Sequence, residues 1–198
     1  MIAIANRSSD LLACLDSRRS VPAKQLGVPG PDDATLTRML QSAVRVPDHG
    51  KRVPFRFLRI AGEARHALGD ALAALTCERE PGAAESVVEK DRGRFSHAPL
   101  VVVVVAVLDD QDGKIPAQER LLSAGSVCFA LLQAAQACGF GASWLTGWPA
   151  YDERVHALLG LGTQERVAGF IHIGTPKLEA PERDRPDPQA LLTDWSPA

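Results

Sequence analysis

The chain has 198 residues, 45% of them hydrophobic, and a formal net charge of −2; that length fits one domain with a substantial core, spanning 1–198, and that charge gives no general attraction to nucleic acid. No stretch approaches the ~20 apolar residues of a membrane span. Met1 to Asp10 lacks a basic region followed by an apolar one, so no signal peptide is expected and the setting is read as cytoplasmic.

The first helix is predicted over Asp10 to Ser17, with Ser8 or Ser9 as its cap. After the Pro/Gly-rich connection Gly27-Val28-Pro29-Gly30-Pro31, Asp32 and Asp33 open a second helix, where carboxylates suit the positive end of the dipole. Leu36, Met39, Leu40, Ala43 and Val44 give this helix an apolar face, and Pro47 stops it. A strand is expected over Phe55 to Ile60 and an Ala/Leu-rich helix over Gly62 to Thr76. The polar stretch Thr76 to Ser96, which carries Pro81-Gly82, reads as a loop with a short helix. Leu100 to Leu108 holds five successive valines, the mark of a central strand covered on both faces.

Pro116 to Cys138 is the longest helix candidate, ~33 Å at 1.5 Å per residue. Val127 to Ala135 is apolar nearly all round, so it lies in the centre or against a partner subunit. Gly139 ends it. A strand over Gly141 to Thr146, a helix over Asp152 to Leu159 and an apolar strand over Arg166 to Gly174 come next. The tail 177–198 is rich in proline and charge but returns to Leu191, Leu192 and Trp195, and is expected to dock on a partner subunit. Helices and strands mix without a clean βα alternation, which favours α+β.

Four segments carry chemistry. Arg18-Arg19-Ser20 comes just after the first helix and can form a phosphate-binding corner, since arginine presents a planar fork of donors. Arg45-Val46-Pro47-Asp48-His49 closes a helix with a cation and presents a histidine. Gly139-Phe140-Gly141-Ala142-Ser143-Trp144-Leu145-Thr146-Gly147 passes from a helix end into a short strand. Phe170 to Pro176 closes the last strand. The cysteines Cys14, Cys77, Cys128 and Cys138 form no CxxC pair and read as reduced apolar residues. The histidines His49, His66, His97, His156 and His172 show no HxH or HExxH spacing, so no metal site is predicted. No GxGxxG stands after a strand, so no Rossmann site is predicted either.

In order and spacing these segments resemble the nitroreductase family, in particular its short YdjA-like branch, from about Leu11 to Thr175. The resemblance implies a mainly antiparallel sheet flanked by helices with a long buried central helix, in a homodimer with FMN at the subunit interface. It implies FMN contacts from Arg18, Arg19 and Ser20 of one chain and from Arg45 and His49, often across the interface. Trp144, Leu145 and Thr146 would line the ring, and Arg183 and Arg185 would reach the phosphate. Ala134, Ala135, Gln136, Ala137, Cys138 and Gly139 would lie where NADH or NADPH approaches. The activity implied is electron transfer from NAD(P)H to a nitroaromatic, quinone or similar small-molecule acceptor, in ping-pong order, with no separate catalytic side chain because the flavin carries the chemistry. A reductive dehalogenase, a flavin-fragmenting enzyme or a flavin-binding protein without turnover would share the phosphate site. Two departures bear on that choice: the family's Gln-Pro-Trp is here Val53-Pro54-Phe55, and its cation shortly after the serine is displaced to Lys24.

Overall fold

The computed structural model describes residues 8–197. Its elements in chain order are α1 (Ser8–Asp16), β1 (Leu26–Gly27), α2 (Asp33–Ala43), β2 (Phe55–Ala61), α3 (Glu63–Arg79), α4 (Glu85–Arg92), β3 (Leu100–Val107), α5 (Ala117–Ala137), β4 (Gly141–Leu145), α6 (Glu153–Leu158), β5 (Glu165–Pro176) and α7 (Pro188–Leu191). Single 3₁₀ turns occur at Ala23–Gln25, His49–Lys51 and Trp148–Ala150. The class is α+β, with every strand pairing antiparallel.

β5 is the hub of the sheet. One edge pairs with β3 from Glu165 to Ile173, and β3 pairs in turn with β2. The other edge pairs with β4 along Phe170–Gly174, and the end of β5 pairs with β1 at Thr175 and Pro176. The valine run alternates between two cores. Val102 and Val104 pack with Met39 of α2 and Val127 and Leu131 of α5. Val101, Val103 and Val105 pack with Leu72 of α3, Phe95 and Val155 of α6. A period of two splits an unbroken apolar run between both faces.

Local chemistry sets several boundaries. The Asp32 side chain accepts from Thr35 N–H at 2.8 Å and caps α2. Pro116 stands just before α5, where its missing N–H costs nothing. Ser8 and Ser9 lie inside α1 rather than before it. α3 runs on to Arg79, past the expected stop at Thr76, because its backbone bonding continues to Glu80 N–H, which donates to Thr76 C=O at 3.0 Å, and the residues beyond Thr76 face outward. β1 went unread because two residues show no periodicity, and β5 extends past Gly174 because β1 supplies its last partners.

The apolar half of α5 is buried in its own subunit: Val127, Cys128, Leu131 and Ala135 are fully enclosed. The large apolar residues that α5 exposes are Leu121, Leu122 and Phe129. The tail packs Ala180 against Val21, Leu26 and Ala98, but Leu191, Leu192 and Trp195 are 72%, 76% and 85% exposed. All four cysteines are free thiols, and burial pushes Cys128 up to about 12. Among the described residues no helix is long and apolar enough to cross a membrane, and no group of His, Cys, Asp and Glu is arranged to hold a metal.

His172, in the middle of β5, is 1% exposed and stacks on Phe95 with ring centroids 5.8 Å apart. Burial, with the neighbouring His97 and Arg94 adding to it, pushes its pKa down to about 4. The unfolded chain therefore takes up a proton between pH 6.5 and about 4 that the folded one refuses. His172 then stabilises the fold fully above pH 6.5, and that contribution is lost as pH falls toward 4. Urea unfolding from pH 7 to pH 4 should show a loss on the order of 3 kcal/mol from this group. His172→Gln should flatten that part of the slope; an unaltered slope in the variant would assign it elsewhere.

Candidate functional site

The arginine corner is built by two chain ends that meet. Arg18 and Arg19 come just after α1, and Arg183 and Arg185 arrive on the tail. With Ser20 and Pro181 they surround a small hollow of about 50 Å³. Arg18 Nη1 donates to Ser20 Oγ at 3.1 Å, and Arg19 Nη1 to the Asp16 carbonyl at 2.9 Å, so Arg19 is held by the end of α1 and Arg18 by the serine that follows it. Glu182 supplies an anion to this corner: it pairs with Arg19 and accepts from Arg185 Nη2 at 2.9 Å. Its carboxyl is held below the usual range by the Arg183 backbone N–H, then by Arg185 and Arg19. Arg18 and Arg183 form no ion pair among the described residues, which leaves an excess of cationic donors around the hollow.

The corner is tied to the sheet by one backbone bond, Val21 N–H to Ala142 C=O at 3.0 Å. From Ala142, β4 runs on through Trp144 to Leu145, with Thr146 next. At ~3.3 Å per residue this places Trp144 to Thr146 ~7–13 Å along the same edge strand from the corner. Trp144 is 39% exposed and Leu145 38%. The Trp144 indole donates to Ala168 C=O at 3.0 Å, and its ring lies across Gly169. A Cβ at Gly169 would sit 2.1 Å from Trp144 Nε1, so only glycine lets the indole lie flat on β5. Trp144 closes one side of an open apolar hollow of about 580 Å³, which Arg45, Leu122, Gly125 and Phe129 also line.

Arg45 is exposed at the end of α2, and His49 begins a tightly braced loop. Asp48 accepts from both Arg52 N–H (3.0 Å) and Val53 N–H (2.8 Å). Gly50, Lys51 and Val53 have φ of 69°, 53° and 49°. The last is strained for a β-branched residue, a cost usually met where a loop must hold a set shape. α5 supplies the bracing. His49 Nδ1 lies 2.7 Å from Glu119 Oε2, Ser123 Oγ donates to Pro47 C=O at 2.6 Å, and buried Arg120 reaches Asp112 at 2.5 Å. Asp112 also accepts from Arg52 at 2.8 Å; the Lys114 backbone N–H first, then Arg52 and Arg120, hold its carboxyl at about 2.

Within one chain, the sequence-predicted residues thus fall into three groups. Arg18, Arg19, Ser20, Arg183 and Arg185 share the corner, Trp144 and Arg45 share the open hollow, and His49 stands with Glu119. The segment Ala134 to Gly139 forms the end of α5 and the turn after it. Ala134 and Ala135 face the core, and Gln136 donates to Cys14 C=O (3.1 Å) and Ser17 Oγ (2.9 Å), so this helix end lies against α1 beside the corner. Gly125, where a Cβ would lie 3.8 Å from the Trp144 ring, is 11 residues before Gln136, ~16 Å along the helix. Lys24 is exposed and lines neither the corner nor the hollow; it sits beside Lys177 and His97. Sequence reasoning missed Glu119, Arg120 and Ser123, although their spacing on one helix face was visible. It also missed Glu182, Ala168 and Gly169, and a cleft of about 630 Å³ lined by Leu121, Tyr151, His156 and Arg166.

The profile of the nitroreductase family matches residues 15–175. The chain is 33% identical over 185 residues to YdjA of Escherichia coli K12, named as a candidate NAD(P)H nitroreductase; the match covers 93% of this chain and 98% of that protein. Among solved structures it is similar to a nitroreductase-like family protein from Bacillus cereus, with TM-score 0.79, 23% identity, and coverage of 93% of this chain and 95% of that one. It is also similar to a Desulfovibrio desulfuricans protein crystallised with FMN, with TM-score 0.70, 21% identity and coverage of 94% and 98%.

Gly169→Ala should push the Trp144 indole off β5. The expected outcome is a red shift and stronger quenching of tryptophan emission, with far-UV circular dichroism retained. Emission identical to wild type would show that the indole does not rest on Gly169.

Proposed function

The chain belongs to the nitroreductase family, and on that premise we propose that it is an FMN-dependent oxidoreductase that moves electrons from NAD(P)H to a nitroaromatic, quinone or similar acceptor. The placement of Arg18–Ser20 and Trp144–Thr146 along one edge strand carries the reading: a cluster of cationic donors at one end and a flat aromatic ledge at the other suit a ligand with a phosphate at one end and a ring at the other. The excess of guanidinium donors over carboxylates in the corner fits a dianionic phosphate.

In this reading Arg18, Arg19, Ser20, Arg183 and Arg185 hold the phosphate, with Glu182 orienting Arg19 and Arg185. Trp144, Leu145 and Thr146 support the ring. FMN supplies the hydride acceptor and the electron donor, so the side chains need only bind it, orient it and shape access to it. Arg45 and His49 lie apart from the corner within one chain and face outward, so they are assigned to the flavin of a second copy. Homodimerisation then buries Leu121, Leu122 and Phe129, an exposed apolar stripe of the kind that marks an interface, and the exposed end of the tail, with Leu191, Leu192 and Trp195, docks on the partner. NAD(P)H and the acceptor use one open face in turn, which gives ping-pong kinetics.

Arg18→Ala and Arg183→Ala should each weaken FMN binding about 10- to 150-fold, the worth of a charge-assisted hydrogen bond, as measured by flavin fluorescence on titrating apoprotein. In the wild type, parallel lines in double-reciprocal plots are expected. Intersecting lines, or wild-type FMN affinity in both variants, would overturn the assignment.

The two-chain site has its own test. Chains carrying Arg18→Ala with Arg19→Ala are refolded together with chains carrying Arg45→Ala with His49→Ala. Each mixed dimer should regain one tight FMN site that neither parent has. A mixture that binds no better than its parents would show that each subunit builds its site alone.

A further inference from the structure

Beyond Leu145 the edge strand β4 has no further pairing with β5, and its free edge takes one backbone bond, at Ala142. The chain continues through Thr146 and Gly147, whose φ is 70°, into the turn Trp148–Ala150. Beneath this turn lies Asp91 of α4, 4% exposed. Its carboxylate accepts from three directions. Oδ2 takes Thr76 Oγ1 of α3 at 2.8 Å and Trp148 Nε1 at 3.0 Å, while Oδ1 takes Arg94 Nη2 at 2.6 Å and Nε at 3.0 Å. Arg94 continues upward: a Cβ on Gly147 would lie 3.0 Å from its Nη1. On the far side of Trp148, the Arg79 guanidinium sits 4.3 Å from the ring centroid.

The bond from Thr76 suffices to join α3 to α4, and the bonds from Arg94 are local to the end of α4. The third leaves that helical pair and fixes the turn that closes the ledge. Apolar side chains of similar volume would pack α3 on α4 as well as a buried carboxylate does. A directional acceptor is needed only to set the position of a particular N–H. We propose that Asp91, acting through Trp148 and Arg94, is the positioning residue for the Trp144–Thr146 ledge, and that it preorganises this ledge for the flavin ring. The second half of the proposal rests on the assignment of FMN to this site.

The test uses the full chain and compares Trp148→Phe, which keeps an aromatic ring under Arg79 but removes the N–H, with Thr76→Val, which removes a bond to the same carboxylate on the side away from the ledge. The readouts are hydrogen exchange of the Trp144 indole N–H in apoprotein, by NMR, and FMN affinity by fluorescence. Trp148→Phe should speed Trp144 exchange and weaken FMN binding, each by about 10-fold, the worth of one hydrogen bond to a charged group. Thr76→Val should lower the melting temperature and leave both readouts near wild type. The proposal is overturned if Trp148→Phe moves neither readout, if it speeds exchange without weakening FMN, or if Thr76→Val weakens FMN equally, which would make Asp91 a packing residue. Wild-type protein that binds no FMN would count against the flavin reading alone, and Trp144 exchange would then decide whether Asp91 holds the ledge.

Discussion

Hydrogen bonding along both edges of β5 holds the parts of the candidate site in one frame. On one edge the valine strand β3 gives β5 a partner buried on both faces. On the other, β4 pairs with it, and β1 pairs with its last residues. β4 carries Trp144 and Leu145; the bond from Val21 to Ala142 holds Arg18–Ser20 beside it; and the chain leaving β5 returns with Arg183 and Arg185. β5 also supplies the Ala168 carbonyl and the side-chain-free surface of Gly169 on which the Trp144 indole rests. A strand paired on both edges and buried on both faces is the least mobile part of a sheet, so groups referred to it keep their separation.

Polar groups inside the protein are placed to position loops rather than to add stability. Arg120 and Asp112 are a mostly buried pair, and their partners Arg52 and Asp109 lie in loops. Asp91 of α4 binds Thr76 of α3, Arg94 just past the end of its own helix, and the turn at Trp148. Burying charge gains little over a hydrophobic replacement, whereas leaving one partner alone is costly. Such networks therefore favour one arrangement of the loops attached to them. The left-handed backbone at Lys51 and Val53 is tolerated for the same reason: Asp48 satisfies the N–H groups that this conformation turns inward.

The charge pattern on the surface separates two environments. The corner concentrates Arg18, Arg19, Arg183 and Arg185, with Glu182 as the carboxylate among them. The hollow beside Trp144 is apolar apart from Arg45 and Ser126. A ligand with an anionic end and a flat apolar end is recognised by such a division, because neither environment would bind the opposite end well.

The sequence by itself determined the elements whose signal is local. Five valines in a row made a central strand, Asp32 began α2, Pro116 and Gly139 bracketed α5, and Arg-Arg-Ser after a short helix marked a cluster of anion donors. The order and spacing of the motifs also carried the resemblance to the nitroreductase family. Tertiary structure decided what depends on distant neighbours. An all-round apolar helix cannot say whether a core or a second subunit covers it; burial shows that Val127 and Leu131 belong to the core and Phe129 to the surface. Nor could composition show that Ala134 to Gly139 packs on α1, that Glu182 joins the arginines, or that Asp91 and Trp148, 57 residues apart, share a hydrogen bond. Hydrophobic periodicity reports how each residue faces its own element, while contacts between elements are set by packing, which no single segment encodes.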